Sequence, residues 1–320
     1  VFETELALLV DIGVDEIDSL EFKYDENIFE LDKKKLQDTK RTAAGKQFSM
    51  DKTIKITCKK EIPDLSSGEI SVYAYPKDAK GKSAAEREAM RSLAGKIQVL
   101  PNEERQRKKQ KFVLIRVKTQ QGEGIFNNDE IITLQHTLHQ ALVEAEIERY
   151  RKDEKGKIKL DKDGRPQRIE LDLTNDSIFY KTYVKVEGII NEDENNGKMF
   201  SYLRDTFFKN NPQYDNYFTV FVFNNKTYDN AVGQIENIGV KNLVLFLDRN
   251  NKTMSHETLH GLGLLHTHRD ETPIKEPGSK YIYPNGNIQP NKATDNIMSY
   301  NGALRKTTWY WQWKLLWEGL

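Results

Sequence analysis

Three histidines and one glutamate fall within a single short run, His256-Glu257-Thr258-Leu259-His260-Gly261-Leu262-Gly263-Leu264-Leu265-His266. His256 and His260 are four apart, so on a helix their imidazoles share one face and can meet a single ion. Glu257 follows the first histidine and can reach a water at an open coordination position. Gly263 is free to take the left-handed conformation that ends a helix. The chain then turns back and delivers His266. Zinc favours nitrogen donors in a tetrahedral arrangement. Three neutral imidazoles leave its double charge intact, which strongly acidifies water. The chemistry implied is metal-assisted hydrolysis, with His256, His260 and His266 as ligands to Zn2+ and Glu257 as general base.

Five such positions recur by accident on the order of once in 10⁵ chains of this size. The competing reading is a core helix with incidental histidines. It would bury three polar rings on an apolar helix and turn without partners, which is costly.

The elements that must position this run are legible around it. Residues 243–247 form an apolar strand that feeds the helix through Asp248-Arg249-Asn250-Asn251. Asn251 or Thr253 is expected to cap the helix start. Residues 112–117 predict another strand, and 128–149 a long helix. Ile131, Leu134, Leu138, Leu142 and Ala145 recur on one face of that helix. Residues 169–173 and 217–223 predict further strands, and 198–209 a second helix. The near-continuous apolar runs are those of strands covered on both faces. Strand, long helix and more strands make an α/β layer.

The first hundred residues differ. Short β-branched or aromatic runs at 3–12, 19–24, 53–58, 69–75 and 96–100 predict strands, with a short helix over 83–94. Ile54, Ile56 and Cys58 alternate with Lys55, Thr57 and Lys59, as in a sheet with one wet face. This predicts an all-β sandwich, immunoglobulin-like in type. The charged run 101–111 reads as a solvated linker. The domains are therefore expected at 1–105 and 106–320. No internal repeat is evident.

The His256–His266 run resembles the signature of the metzincin clan of zinc endopeptidases. That clan has a tight turn with a methionine beneath the metal, and Asp295-Asn296-Ile297-Met298-Ser299-Tyr300 resembles it. Tyr300 is similar to the tyrosine of the astacin-like and serralysin-like branches, where it can ligate the metal and swing to hydrogen-bond the oxyanion. The resemblance covers roughly residues 110–320. It implies an α+β fold: a twisted, mostly parallel sheet, a long backing helix and a zinc-site helix, after the β-domain. It also implies that 231–238, with Ala231, Val232, Gly233, Gln234 and Ile235, form an edge strand that pairs with extended polypeptide substrate. Thr267 matches no branch marker, so the subfamily stays open.

Other features carry less. His136 and His139 are three apart on the long helix, but no carboxylate stands at ligand spacing, and surface histidines are expected. His268 is expected to line the cleft or solvent. Cys58 is expected in the core, because the context of a cysteine switch is absent. Asp161-Lys162-Asp163-Gly164 lacks the distal glutamate of a calcium loop, so a plain turn is expected. Trp309, Trp313 and Trp317 fall on one face of a C-terminal helix, expected to pack on the core.

Composition narrows the class. The chain has 320 residues, enough for two domains, and 49 basic against 49 acidic side chains. This balance argues against nucleic acid or an anionic membrane as main partner. No apolar stretch is long enough to span a bilayer. The single cysteine excludes an internal disulfide. The first residue is Val1, which reads as a mature form or an excised piece. The expectation is a zinc-dependent endopeptidase, secreted or extracellular and toxin-like. The rivals are a zinc hydrolase acting on peptidoglycan peptides and a non-enzymatic binding module with structural zinc. Substrate, oligomeric state and latency are not legible.

Overall fold

A computed structural model describes residues 2–7, 17–36, 39–41, 47–49, 53–191, 198–267, 294–300, 305 and 307–320. It is α+β and divides into two compact units, Val1–Arg107 and Lys108–Leu320.

Among its described residues, the first unit holds three antiparallel sheets, the smallest of which pairs Thr39–Arg41 with Gln47–Ser49. The first pairs Phe2–Ala7 with Thr53–Cys58 and that strand with Phe29–Leu31. The second runs Lys35–Leu36, Ile17–Lys23, Glu69–Pro76, Ser92–Gln98. Ile54, Ile56 and Cys58 from the first sheet and Leu20, Phe22 and Ile70 from the second share one buried cluster. Burial pushes the Cys58 thiol up. The unit is not wholly β. A short helix, Ala84–Met90, starts on a capping box between Ser83 and Glu86. It stops earlier than the sequence predicts because Ser92 and Leu93 already pair with Ala74 and Tyr73.

The second unit is built on a mostly parallel sheet. Its long strand, Lys108–Thr119, pairs parallel with Val143–Glu148 and Glu170–Asp172, and on its other side with Phe218–Val222. Phe218–Val222 pairs parallel with Asn242–Leu245. The outer strand, Gly233–Ile235, pairs antiparallel with Asn242–Leu245.

The apolar runs feed two cores. Phe112, Leu114, Phe218, Val220, Leu243 and Leu245 face the helices Asn128–Gln140, Thr253–Gly261 and Tyr310–Glu318. Val113, Ile115, Phe221 and Val244 face Ser177–Tyr183 and Met199–Phe208. Each strand residue thus alternates between two covered faces, which is why no polar alternation is visible.

Two sequence expectations are corrected here. The helix expected over 128–149 ends at Gln140, and Val143–Glu148 is a strand. The turn is made by Leu142, whose φ is 55°. Val143, Ala145 and Ile147 alternate with Glu144, Glu146 and Glu148, a period of two, as in a strand. The charged run 101–111 is not all linker either. From Lys108 it is paired strand, with Lys109 Nζ 3.0 Å from Glu146 of the neighbouring strand.

Two of the tryptophans are half-buried against the core. Trp313 and Trp317 pack on the first cluster, and Trp317 Nε1 donates to Ala141 O at 2.6 Å.

Candidate metal centre

The strand Asn242–Leu245 leads through a short turn into the helix Thr253–Gly261. The cap differs from expectation. Lys252 occupies the N-cap without a side-chain bond, and Asn250 Oδ1 accepts from Lys252 N at 2.8 Å. The helix buries all its residues except Glu257, which is half-buried. It lies close on the sheet, and Gly261 is what permits this. A Cβ there would stand 2.5 Å from the Phe218 ring and 2.8 Å from Ile235. Gly263 then takes φ +96°, the left-handed turn that brings the chain back to His266.

The three histidine side chains converge. His266 Nε2 lies 3.2 Å from His256 Nε2 and 3.1 Å from His260 Nε2. Their outer nitrogens are held by backbone carbonyls. His256 Nδ1 donates to Ile297 O at 2.9 Å, and His260 Nδ1 to Leu264 O at 2.7 Å. A carbonyl only accepts, so both Nδ1 atoms carry hydrogens. The neutral rings then present bare Nε2 lone pairs to a common point. Burial holds the His256 imidazole well below its usual 6.5, and His260 beside it adds to this.

Such a convergence of lone pairs is repulsive unless a cation sits among them. Among the described residues this is the one group of three His, Cys, Asp or Glu side chains arranged to hold a metal ion. Zinc–nitrogen bonds of about 2.0–2.1 Å in a tetrahedron put donors roughly 3.3 Å apart, close to the two distances from His266. The carbonyl bonds on the far nitrogens are the outer support that metal-ligating histidines usually have. The residues present therefore fit a metal ion.

Met298 is fully buried in the core cluster that contains Leu259 and Leu262. Its turn is pinned by Asn296 Oδ1, which accepts from Met298 N at 2.9 Å. Met298 O in turn accepts from Thr267 N at 3.2 Å. The turn and the histidine loop are thus fastened together, with Ile297 supplying the carbonyl for His256. The Tyr300 ring lies 4.7 Å from the His266 ring and 5.9 Å from the His256 ring, centre to centre. Burial raises the Glu257 carboxyl to about 8, and the nearby positive charge of Arg305 offsets part of that rise.

The strand Gly233–Ile235 borders the helix. A Cβ on Gly233 would meet Thr253 at 2.5 Å and Glu257 Cγ at 3.2 Å. Val232 O accepts from Phe246 N at 3.0 Å, extending the pairing back toward Ala231. Ala231, Val232, Gly233, Gln234 and Ile235 therefore run along the sheet edge beside the centre.

His136 and His139 are exposed and join no metal group among the described residues. His268 lies outside the described residues. Asp161 makes a plain turn, its Oδ1 accepting from Asp163 N and Arg165 N. Three contributors were not found by sequence reasoning: the carbonyls of Ile297 and Leu264, which carry no side-chain signal, and Arg305, an ordinary arginine in a basic stretch.

Comparison with protein-family models, curated proteins and solved structures finds no match for this chain. The functional reading therefore stands on the geometry of the centre.

Proposed function

We propose that this chain is a zinc-dependent endopeptidase of metzincin type. The observation that carries the proposal is the convergence of three imidazoles, with His266 Nε2 3.1–3.2 Å from the other two Nε2 atoms, and a half-buried carboxyl next in sequence to the first ligand. His256, His260 and His266 would hold the metal. When bound, zinc supplies Lewis acidity, acidifying water and polarising a carbonyl.

The chain's own residues do the rest. Glu257 takes a proton from the attacking water and returns it to the leaving amine nitrogen. A carboxylate in that position can both accept and release a proton. Tyr300, beside His266 and His256, donates a hydrogen bond to the oxygen that becomes negative. The edge strand Gly233–Ile235 lends backbone groups to an extended substrate. Gly263 closes the ligand loop, and Met298 fills the core beneath it.

The metzincin reading is further supported by the mostly parallel sheet and the helix Asn128–Gln140 packed on the same sheet face as the histidine helix. In the first unit, two antiparallel sheets sharing one core support the immunoglobulin-like reading.

The test is cleavage of unfolded casein by the zinc-loaded protein. Cleavage is expected to stop on chelation and return with zinc. Glu257→Gln is expected to retain zinc and lose on the order of 10²–10⁴ in rate. A Glu257→Gln variant with near-normal turnover refutes the base assignment. A zinc-loaded wild type that leaves casein and short peptides intact refutes the endopeptidase reading.

A further inference from the structure

Arg305 reaches the centre from a segment fastened at both ends. Before it, Tyr300 packs its ring against His266. After it, Thr307 pairs with the methionine turn: Ile297 N donates to Thr307 O at 2.7 Å, and Thr307 N to Asp295 O at 3.1 Å. Thr308 is tied in turn to Gln140 Oε1 through its N and Oγ1, at 2.8 and 3.0 Å. Arg305 stands two residues before this anchor.

Its guanidinium is half-buried and unmatched. Among the described residues it makes no ion pair and no hydrogen bond, and its buried Nε has no partner. The charges that it senses belong to the reaction centre. Burial pushes its guanidinium down, and the charges of Tyr300 and Glu257 oppose that fall. A guanidinium withdrawn from water without an anion is costly, and its planar fork matches a carboxylate through two parallel bonds. Glu257 lies beyond ion-pair distance of it.

We propose that Arg305 forms a cationic subsite that receives a carboxylate of the peptide substrate close to the reacting bond. This rests on the endopeptidase reading and names the substrate class: acidic peptides. The carboxylate comes either from an Asp or Glu side chain or from the chain terminus.

Two experiments test it. In the first, the zinc-loaded wild type digests a mixed peptide library, and the cut sites are read by mass spectrometry. Asp and Glu are expected to be enriched roughly tenfold or more at one position beside the cut. If the terminal carboxylate is the ligand, cuts should instead cluster at a fixed distance from the C-terminus. Arg305→Ala should erase whichever preference is found, Arg305→Lys should retain part of it, and Arg305→Glu should shift it toward basic residues. An acidic preference that survives Arg305→Ala overturns the proposal, as does cleavage with no carboxylate preference.

The second experiment does not need turnover. Zinc-loaded Glu257→Gln is titrated with paired short peptides carrying Glu or Gln at the same position. Roughly tenfold tighter binding of the Glu peptide is expected, lost when Arg305→Ala is added. Equal binding of the two peptides overturns the proposal even if no peptide is ever cleaved. Failure of cleavage with intact Glu selectivity sinks the endopeptidase reading alone.

Discussion

Arg249 and Glu130 form a two-pronged ion pair, Nε to Oε2 at 2.8 Å and Nη2 to Oε1 at 2.8 Å. Glu130 is 2% exposed and Arg249 10%, so the pair is withdrawn from water. It joins the first turn of the helix Asn128–Gln140 to the loop that leads into the histidine helix. Arg249 also donates to Phe246 O and Ile125 O, so one side chain fixes three stretches of backbone and side chain.

Breaking this pair from one side should be expensive, because the remaining charge stays buried. Arg249→Met is expected to cost about 3–5 kcal/mol in urea unfolding. Glu130→Leu with Arg249→Met should cost less than the sum of the single changes. Additive losses would mean that the two side chains do not act as a pair.

The close approach of the histidine helix to the sheet depends on Gly261. Gly261→Ala must push aside the Phe218 ring or Ile235, and crowding of this kind costs about 1–3 kcal/mol. Thermal or urea unfolding measures it. Because His260 is the preceding residue, zinc affinity should fall as well. An unchanged midpoint and unchanged zinc affinity would contradict the packing described.

The pH dependence of the metal-free protein follows from Glu257. Its carboxyl titrates near 4.5 in the unfolded chain and at about 8 in the fold. Between those values the native state holds a proton that the unfolded state has lost, so this residue's contribution falls as pH rises through that window. Below pH 4.5 both states are protonated and the contribution is complete. Glu257→Gln removes the titration. In chelator, its melting temperature should gain on wild type steadily from pH 5 to pH 8. A constant gap across that range contradicts the assignment.

The ligand trio was legible because it is a helix spacing followed by a glycine, and the structure brings His256, His260 and His266 together. The outer carbonyls that set their tautomers were not, since every residue has a carbonyl and only the fold selects Ile297 and Leu264. Residues 143–148 misled because Ala145 and Leu142 suit a helix as well as a strand, and pairing with Lys108–Val113 decided for the strand. The basic run at 108–111 looked solvated, yet Lys109 and Lys111 sit opposite Glu144 and Glu146 across a strand pair. Arg305 had no signal at all, because its meaning comes from Thr307 returning to the methionine turn.

The measurement that bears most directly on the account is metal stoichiometry with coordination. Elemental analysis of the purified, zinc-exchanged protein should give one zinc per chain, and X-ray absorption should report three imidazole nitrogens and a further light-atom ligand at about 2.0–2.1 Å. Replacing any one of His256, His260 or His266 by Ala should sharply lower zinc content. A folded wild type that takes up no metal, or three His→Ala variants that each keep a full zinc, would contradict it.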